Sequence, residues 1–262
     1  MKHLHTKLEQ LAASCPCRWS VVVTDGAGHD LYSVRPDIIY PSASMIKVPI
    51  LFEILRQAAA GTVCLQETLS PSASCRVGGA GILKELNPSL PLNIRDLCVL
   101  MISLSDNTAT NTLIERVGMT AVNQTMSNLG LTHTRLQRRM MDFAAAAAGL
   151  QNETSAADMA KMYHLLLHAQ GLPPSYAALA LNILKSQQVR DKIPFYLPES
   201  LSLAHKTGTL DGVEHDGGIL YLPAGPFIVC IFADGLQNNA HGLQLIAQMG
   251  RAIYDALLQE EI

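Results

Sequence analysis

The position of the β-rich runs constrains this chain most: two near its start, three near its end, and helical patterning between. "RWSVVVTD" (18–25) and "HDLYSVRP" (29–36) flank the turn "GAG" and read as a hairpin. "LSLAHKTGTL" (201–210), "HDGGILYLP" (215–223) and "PFIVCIFADG" (226–235) are three further short strands with turn residues between them. The intervening chain predicts helices over 45–61, 93–105, 107–118, 120–130, 155–171 and 175–188, with loop-rich stretches at 62–92 and 131–154. A closing helix is expected over 241–259. If the five strands form one sheet, residues 1–40 and 190–262 make one discontinuous α/β lobe. Residues 41–189 are then an inserted helical lobe, and the whole is one structural unit of the α+β type, with the active site between the lobes.

Pro49 falls inside the helix expected over 45–61. Its ring and missing N–H confine it to the first turn or two. Ser155 is a plausible cap for the helix after it, with Asp158 three residues on.

Several function classes are disfavoured. The formal charge is −3, from 19 basic and 22 acidic residues, without a basic stripe, so nucleic acid is not an expected partner. No apolar run is long enough to span a bilayer, and no membrane partner is expected. Lys7, Glu9 and Gln10 interrupt the N-terminal stretch, which reads as an amphipathic helix with Leu4, Leu8 and Leu11 on one face rather than as a secretory signal. A cytoplasmic location is expected on that basis, and a periplasmic or secreted one if a leader has been removed. The six cysteines are then reduced, buried or incidental thiols. His164 and His168 lie one helical turn apart, but no third ligand accompanies them, and neither a metal nor a cofactor is expected. Nothing in the sequence sets the oligomeric state.

The chemistry starts at "PSASMIKVPILFEIL" (41–55). Ser44 and Lys47 are three apart at a helix start, which makes their side chains neighbours. Ser44 is either a helix N-cap or a nucleophile. A serine hydroxyl attacks carbonyl carbon only when a base takes its proton. A lysine is such a base once burial leaves it partly neutral, and Met45, Ile46, Val48 and Ile50 are suitable surroundings. Two more motifs follow: Ser105-Asp106-Asn107 at the end of an apolar helix, and Lys206-Thr207-Gly208 on the first C-terminal strand.

Those three motifs, in that order and on those elements, resemble the signature set of class A β-lactamases and penicillin-binding proteins. The resemblance covers nearly the whole chain and implies a five-stranded antiparallel sheet flanked by helices plus an all-helical lobe. It also implies an acyl-enzyme on Ser44, with Lys47 accepting the proton directly or through water. Ser105 would relay a proton to the leaving nitrogen, assisted by Lys206. Asn107 would hold a substrate amide and orient Lys47. Thr207 and Thr209 would bind a substrate carboxylate, and the N–H groups of Ser44 and Thr209 would form the oxyanion hole. Gly208 would leave room for substrate. The implied partner is a small molecule or peptide bearing a carboxylate, either a β-lactam or a D-Ala-ending peptide.

The chain departs from that pattern in "TRLQRRMMDFA" (134–144). Class A enzymes carry Arg-x-Glu-x-x-Leu-Asn there, and the glutamate activates the deacylating water. Arg138 aligns with the arginine, but Met140, or Met141 after a one-residue slip, falls on the glutamate. Asp142 could reach inward, or pair with Arg138 or Arg139 and pin the loop. "RVGGAGIL" (76–83) replaces an aromatic gatekeeper, and a more open or mobile entrance is expected. The resemblance therefore implies weak or atypical β-lactamase activity. Its alternatives are a penicillin-acylated sensor that does not turn over and a glutaminase-like amidohydrolase. His205, His215 and Asp216 flank the third motif, where a structural hydrogen-bonding role is expected for them.

Overall fold

The computed structural model describes residues 2–259. Five strands form one antiparallel sheet: β1 (Arg18–Asp25), β2 (Asp30–Val34), β3 (Leu203–Leu210), β4 (Val213–Leu222) and β5 (Gly225–Asp234), in the order β2-β1-β5-β4-β3. Nine α-helices occur among the described residues: α1 (Lys2–Ala13), α2 (Lys47–Ala59), α3 (Ile94–Ser103), α4 (Asn107–Val117), α5 (Met119–Asn128), α6 (Phe143–Ala147), α7 (Ala156–Leu167), α8 (Pro174–Lys185) and α9 (Asn239–Gln259). None is long and apolar enough to cross a membrane.

Both faces of the sheet are buried, and the period-2 alternation of a strand explains how. Val21, Val23, Val229 and Ile231 point to one face, where Leu4 and Leu8 of α1 and Leu245, Met249 and Ile253 of α9 cover them. Val22, Ile219, Ile228, Cys230 and Phe232 point to the other, against the helical part of the chain. On that inner face α7 packs on β1, β4 and β5, and α8 packs on β3. Each fully buried Val or Ile contributes about 1.5–3 kcal/mol to holding these layers together.

The turns between elements follow from local chemistry. Asn93 caps α3 by accepting the Asp96 N–H at 2.8 Å, and Ser155 caps α7 by accepting that of Asp158 at 3.1 Å. Asp158 does not complete a capping box. Its carboxylate accepts from the His133 N–H and the Thr134 hydroxyl instead, at 2.8 Å each, and so ties the loop before α7 to that helix. Pro49 is the third residue of α2, inside its first turn. β4 starts at Val213, not at His215 as the sequence suggested, because a tight turn at Asp211–Gly212 returns the chain directly into the sheet.

Two short pairings outside the main sheet bear on the site. Tyr40–Pro41 pairs with Glu153–Thr154, and the Ser42 N–H donates to Asn152 O at 2.7 Å. The segment that closes the 131–154 loop is thereby fastened to the residues just before Ser44. None of the six cysteines is in a disulfide. Among the described residues no group of three or more His, Cys, Asp or Glu could hold a metal ion. The His164 and His168 rings pack with centroids 4.4 Å apart, tilted by 45°, and His168 donates to Gly26 O.

Candidate active site

Ser44 lies in a 3-10 turn, Ala43–Ile46, that runs into α2. Ala43 before it has φ +46°, a strained conformation for a residue with a side chain. Ser105, at φ +54°, and Met141, at φ +61°, are strained in the same way, and Ala43 and Met141 line one cavity. That cavity has a volume of about 180 Å³, and Ser44, Asn107, Met140 and Met141 line it.

Lys47 begins α2 and is fully buried. Its Nζ donates to Ser105 O at 2.6 Å, Ser105 Oγ at 3.0 Å and Asn107 Oδ1 at 2.9 Å. As an ammonium it fills all three contacts. As a neutral amine it keeps the two carbonyl bonds and turns its lone pair toward a hydroxyl. Burial lowers its pKa to about 7, against an opposing pull from the Asp106 carboxylate. No hydrogen bond joins Ser44 Oγ to Lys47 in the resting protein among the described residues.

Asp106 explains why the second motif turns as it does. Its carboxylate accepts the Ala109 N–H at 2.8 Å, capping α4, and the N–H groups of Ile82 and Leu83 at 2.7 Å each. These bonds tie the end of the glycine-rich stretch to the start of α4. The Asn107 N–H donates to Ala80 O at 3.0 Å, and Asn107 Nδ2 to Gly78 O at 3.1 Å. A Cβ on Gly79 would lie 2.6 Å from Asn107 Nδ2 and 2.9 Å from Met141 Sδ. Gly79 is needed for that close approach, as is Gly81, where a Cβ would collide with Asp106.

Strand β3 brings in the third motif. Lys206 points to the inner face, is fully buried and donates to Thr207 O at 2.7 Å. Burial first, then the charges of Lys47 and Lys192, hold its pKa well below the usual lysine range. The Gly208 expectation needs correction. A Cβ there would meet Ala43 Cβ at 3.1 Å and Met45 Cγ at 3.2 Å, so the glycine lets the strand approach the nucleophile turn and does not clear space for a ligand. Thr209 lines the cavity, and its side chain is bonded within the protein. Its hydroxyl donates to Glu214 at 2.8 Å and accepts from Lys192 at 2.9 Å, so its single proton is already committed. Thr207 has no such partner among the described residues. β3 is the edge strand, so part of its N–H row lacks a strand partner.

The 134–144 segment holds no general base at the cavity. Met140 is buried, and its backbone is clamped by Asn111, which accepts the Met140 N–H at 2.8 Å and donates to Met140 O at 3.2 Å. Asn123 clamps Leu136 in the same way, and Asn152 clamps Arg138. Asp142 neither reaches inward nor pairs with an arginine. It caps α6 by accepting the Ala145 N–H at 2.9 Å.

The sequence reading missed these asparagines, although Asn111 is one helical turn from Asn107 and shares its face. It also missed Lys192 and Glu214, a fully buried pair 2.7 Å apart behind β3. Lys192 reaches Gly208 O and His215 O too, at 2.8 and 3.2 Å. The histidines there are structural. His205 bonds Asp216 at 2.9 Å, and His215 donates to Pro41 O at 2.9 Å while stacked on Phe232. Burial depresses the His215 pKa to about 4, which keeps the ring neutral.

The sequence pattern of the beta-lactamase enzyme family matches residues 3–257. The chain belongs to the beta-lactamase enzyme family, and it is a serine hydrolase. Beta-lactamase AST-1 of Nocardia asteroides is 24% identical over 257 residues, covering 96% of this chain and 83% of that protein. A crystal structure of a beta-lactamase from Sphaerobacter thermophilus is 29% identical, with a TM-score of 0.88, 96% of this chain and 97% of that one being covered. PBP-A is 28% identical with a TM-score of 0.90, covering 99% of this chain and 97% of its own. A point mutant of PBP-A, solved as an acyl-enzyme complex with penicillin G, matches with a TM-score of 0.89, 28% identity and the same coverage.

Proposed function

We propose that the protein acylates Ser44 with a carboxylate-bearing amide, either a β-lactam or a D-Ala-ending peptide, and releases the acyl group slowly. The observation that carries this reading is Lys47, fully buried three residues after Ser44, with a pKa of about 7 and bonds to Ser105 and Asn107. Half of it is a neutral amine near pH 7, so it is available as a base.

In the proposed reaction Ser44 Oγ attacks the carbonyl carbon and its proton passes to Lys47, directly or through a water. The oxyanion that forms is held by the backbone N–H groups of Ser44 and Thr209. The C–N bond breaks as Ser105 gives its proton to the leaving nitrogen, and the Lys47 ammonium, which carries the proton taken from Ser44, resupplies it across the Nζ–Ser105 Oγ bond, with Lys206 assisting. Lys206 also offers its N–H groups to the substrate carboxylate, whose negative charge favours the ammonium form that burial disfavours, with Thr207 as the hydroxyl donor. Met140 supports the slow second step, since a thioether cannot take a proton from water. The same residue gives some weight to a second reading, a protein that becomes acylated and stays so as a sensor.

Intact-protein mass spectrometry with a penicillin, a thioester depsipeptide and a D-Ala-D-Ala peptide tests the proposal. A persistent one-to-one penicillin adduct, absent in Ser44→Ala, is expected, with faster release of the depsipeptide product. No adduct and no product from any of the three would end the proposal. A penicillin adduct with no product from either of the others would favour the sensor.

A further inference from the structure

Arg138 lines the same cavity as Ser44 and is the only charged residue among those lining it. No carboxylate among the described residues lies within ion-pair distance of its guanidinium. Its Nε and Nη2 donate to Gln151 Oε1 at 3.4 and 3.2 Å, and Nη1 to Arg139 O at 3.3 Å. Both acceptors are neutral, and the three contacts sit at or beyond the long end of the usual N–H···O range of roughly 2.7–3.2 Å.

The neighbouring groups have other partners. Arg139 reaches Glu115 at 3.9 Å, and Asp142 caps α6. Nor is the Arg138 side chain needed to pin the loop. Asn152 already accepts the Arg138 N–H at 2.9 Å and donates to its carbonyl at 3.0 Å. Beside this spare cation the cavity wall is apolar: Met141, then Phe143 and Leu210, which are 69% and 37% exposed.

We propose that Arg138 is a specificity determinant that receives a second carboxylate, carried on the acyl side chain of the substrate. The apolar body of that side chain lies against Met141, Phe143 and Leu210. This inference rests on the acyl-enzyme reading and narrows its substrate class to acyl donors with an apolar side chain ending in an anion. A guanidinium suits the task because two of its N–H groups match the two oxygens of a carboxylate. With Arg138 half-buried, solvent screening leaves the contact a preference of about tenfold.

Benzylpenicillin and α-carboxybenzylpenicillin share ring and bicyclic core and differ by one side-chain carboxylate. Quench-flow acylation of the full chain, read by intact mass, gives the ratio of their second-order rate constants. The ratio in favour of the dianion is expected to fall about tenfold in Arg138→Gln, at an unchanged melting temperature. In the wild type it is expected to fall as salt is raised from about 0.05 M to about 1 M, because the extra carboxylate is the only charge that differs. The same ratio in Arg138→Gln as in the wild type would overturn the inference, and so would a salt-independent wild-type ratio. The salt series stands even if the variant fails to fold. Absence of any Ser44 adduct with either penicillin would overturn the acyl-enzyme reading as well, an outcome distinct from adducts formed at an unchanged ratio.

Discussion

Lowering the pH should silence acylation well before it unfolds the protein. An unperturbed lysine at pKa 10.5 would be neutral in about one molecule in 3,000 at pH 7. At about 7 the neutral fraction of Lys47 is about one-half, a gain of more than a thousandfold in competent base. The cause is burial, equivalent to about 5 kcal/mol of differential solvation, with Asp106 working in the opposite direction. The neutral fraction is about one-tenth at pH 6 and about nine-tenths at pH 8. The second-order rate of penicillin acylation should therefore rise about tenfold from pH 6 to pH 8, then level off. Stopped-flow measurement with a chromogenic β-lactam across that range is the assay, with melting curves to confirm that the fold persists. A flat profile between pH 6 and pH 8, or an acid limb centred above pH 9, would refute Lys47 as the base.

Three further outcomes follow from particular contacts. Met140→Glu places a carboxylate where the loop backbone is already clamped by Asn111, and should raise release of the acyl group by about 10²-fold or more, seen as loss of the persistent mass adduct. Gly208→Ala must push the Ala43–Met45 turn by a few tenths of an ångström, and acylation should fall roughly tenfold while circular dichroism is unchanged. Lys192→Met strands the Glu214 carboxylate in a buried site and should cost about 3–5 kcal/mol in denaturant unfolding, whereas a Lys192→Met/Glu214→Leu double variant should recover most of that loss.

The parts legible in the sequence are those that depend on periodicity and spacing. The continuous apolar runs "VVV" and "FIVCIF" mark strands covered on both faces, and a serine three residues before a lysine at a helix start needs only helical geometry. Asp106 was legible as a cap, since a short acceptor before a helix does that chemistry wherever it occurs. What stayed hidden depends on tertiary register. Thr209 alternates with Lys206 and Gly208, but nothing along the chain says that Glu214 and Lys192 will claim its hydroxyl. Gly208 looks like a concession to substrate until the nucleophile turn is seen against it. Arg138 aligns with the arginine of the family loop, yet Asp142 caps α6 instead of pairing with it, and Asn152 holds its backbone. The short α6 escaped notice because five residues carry too little periodicity to mark a helix.

A kinetic acid limb can belong to any group that titrates near neutrality, so the identity of the base is read on Lys47 itself. NMR titration of lysine side chains in the resting protein, with Lys47 assigned by the loss of its signal in Lys47→Arg, reads the protonation of that amine alone. A midpoint near 7 is expected. A midpoint near 10, as for a solvated lysine, would contradict it.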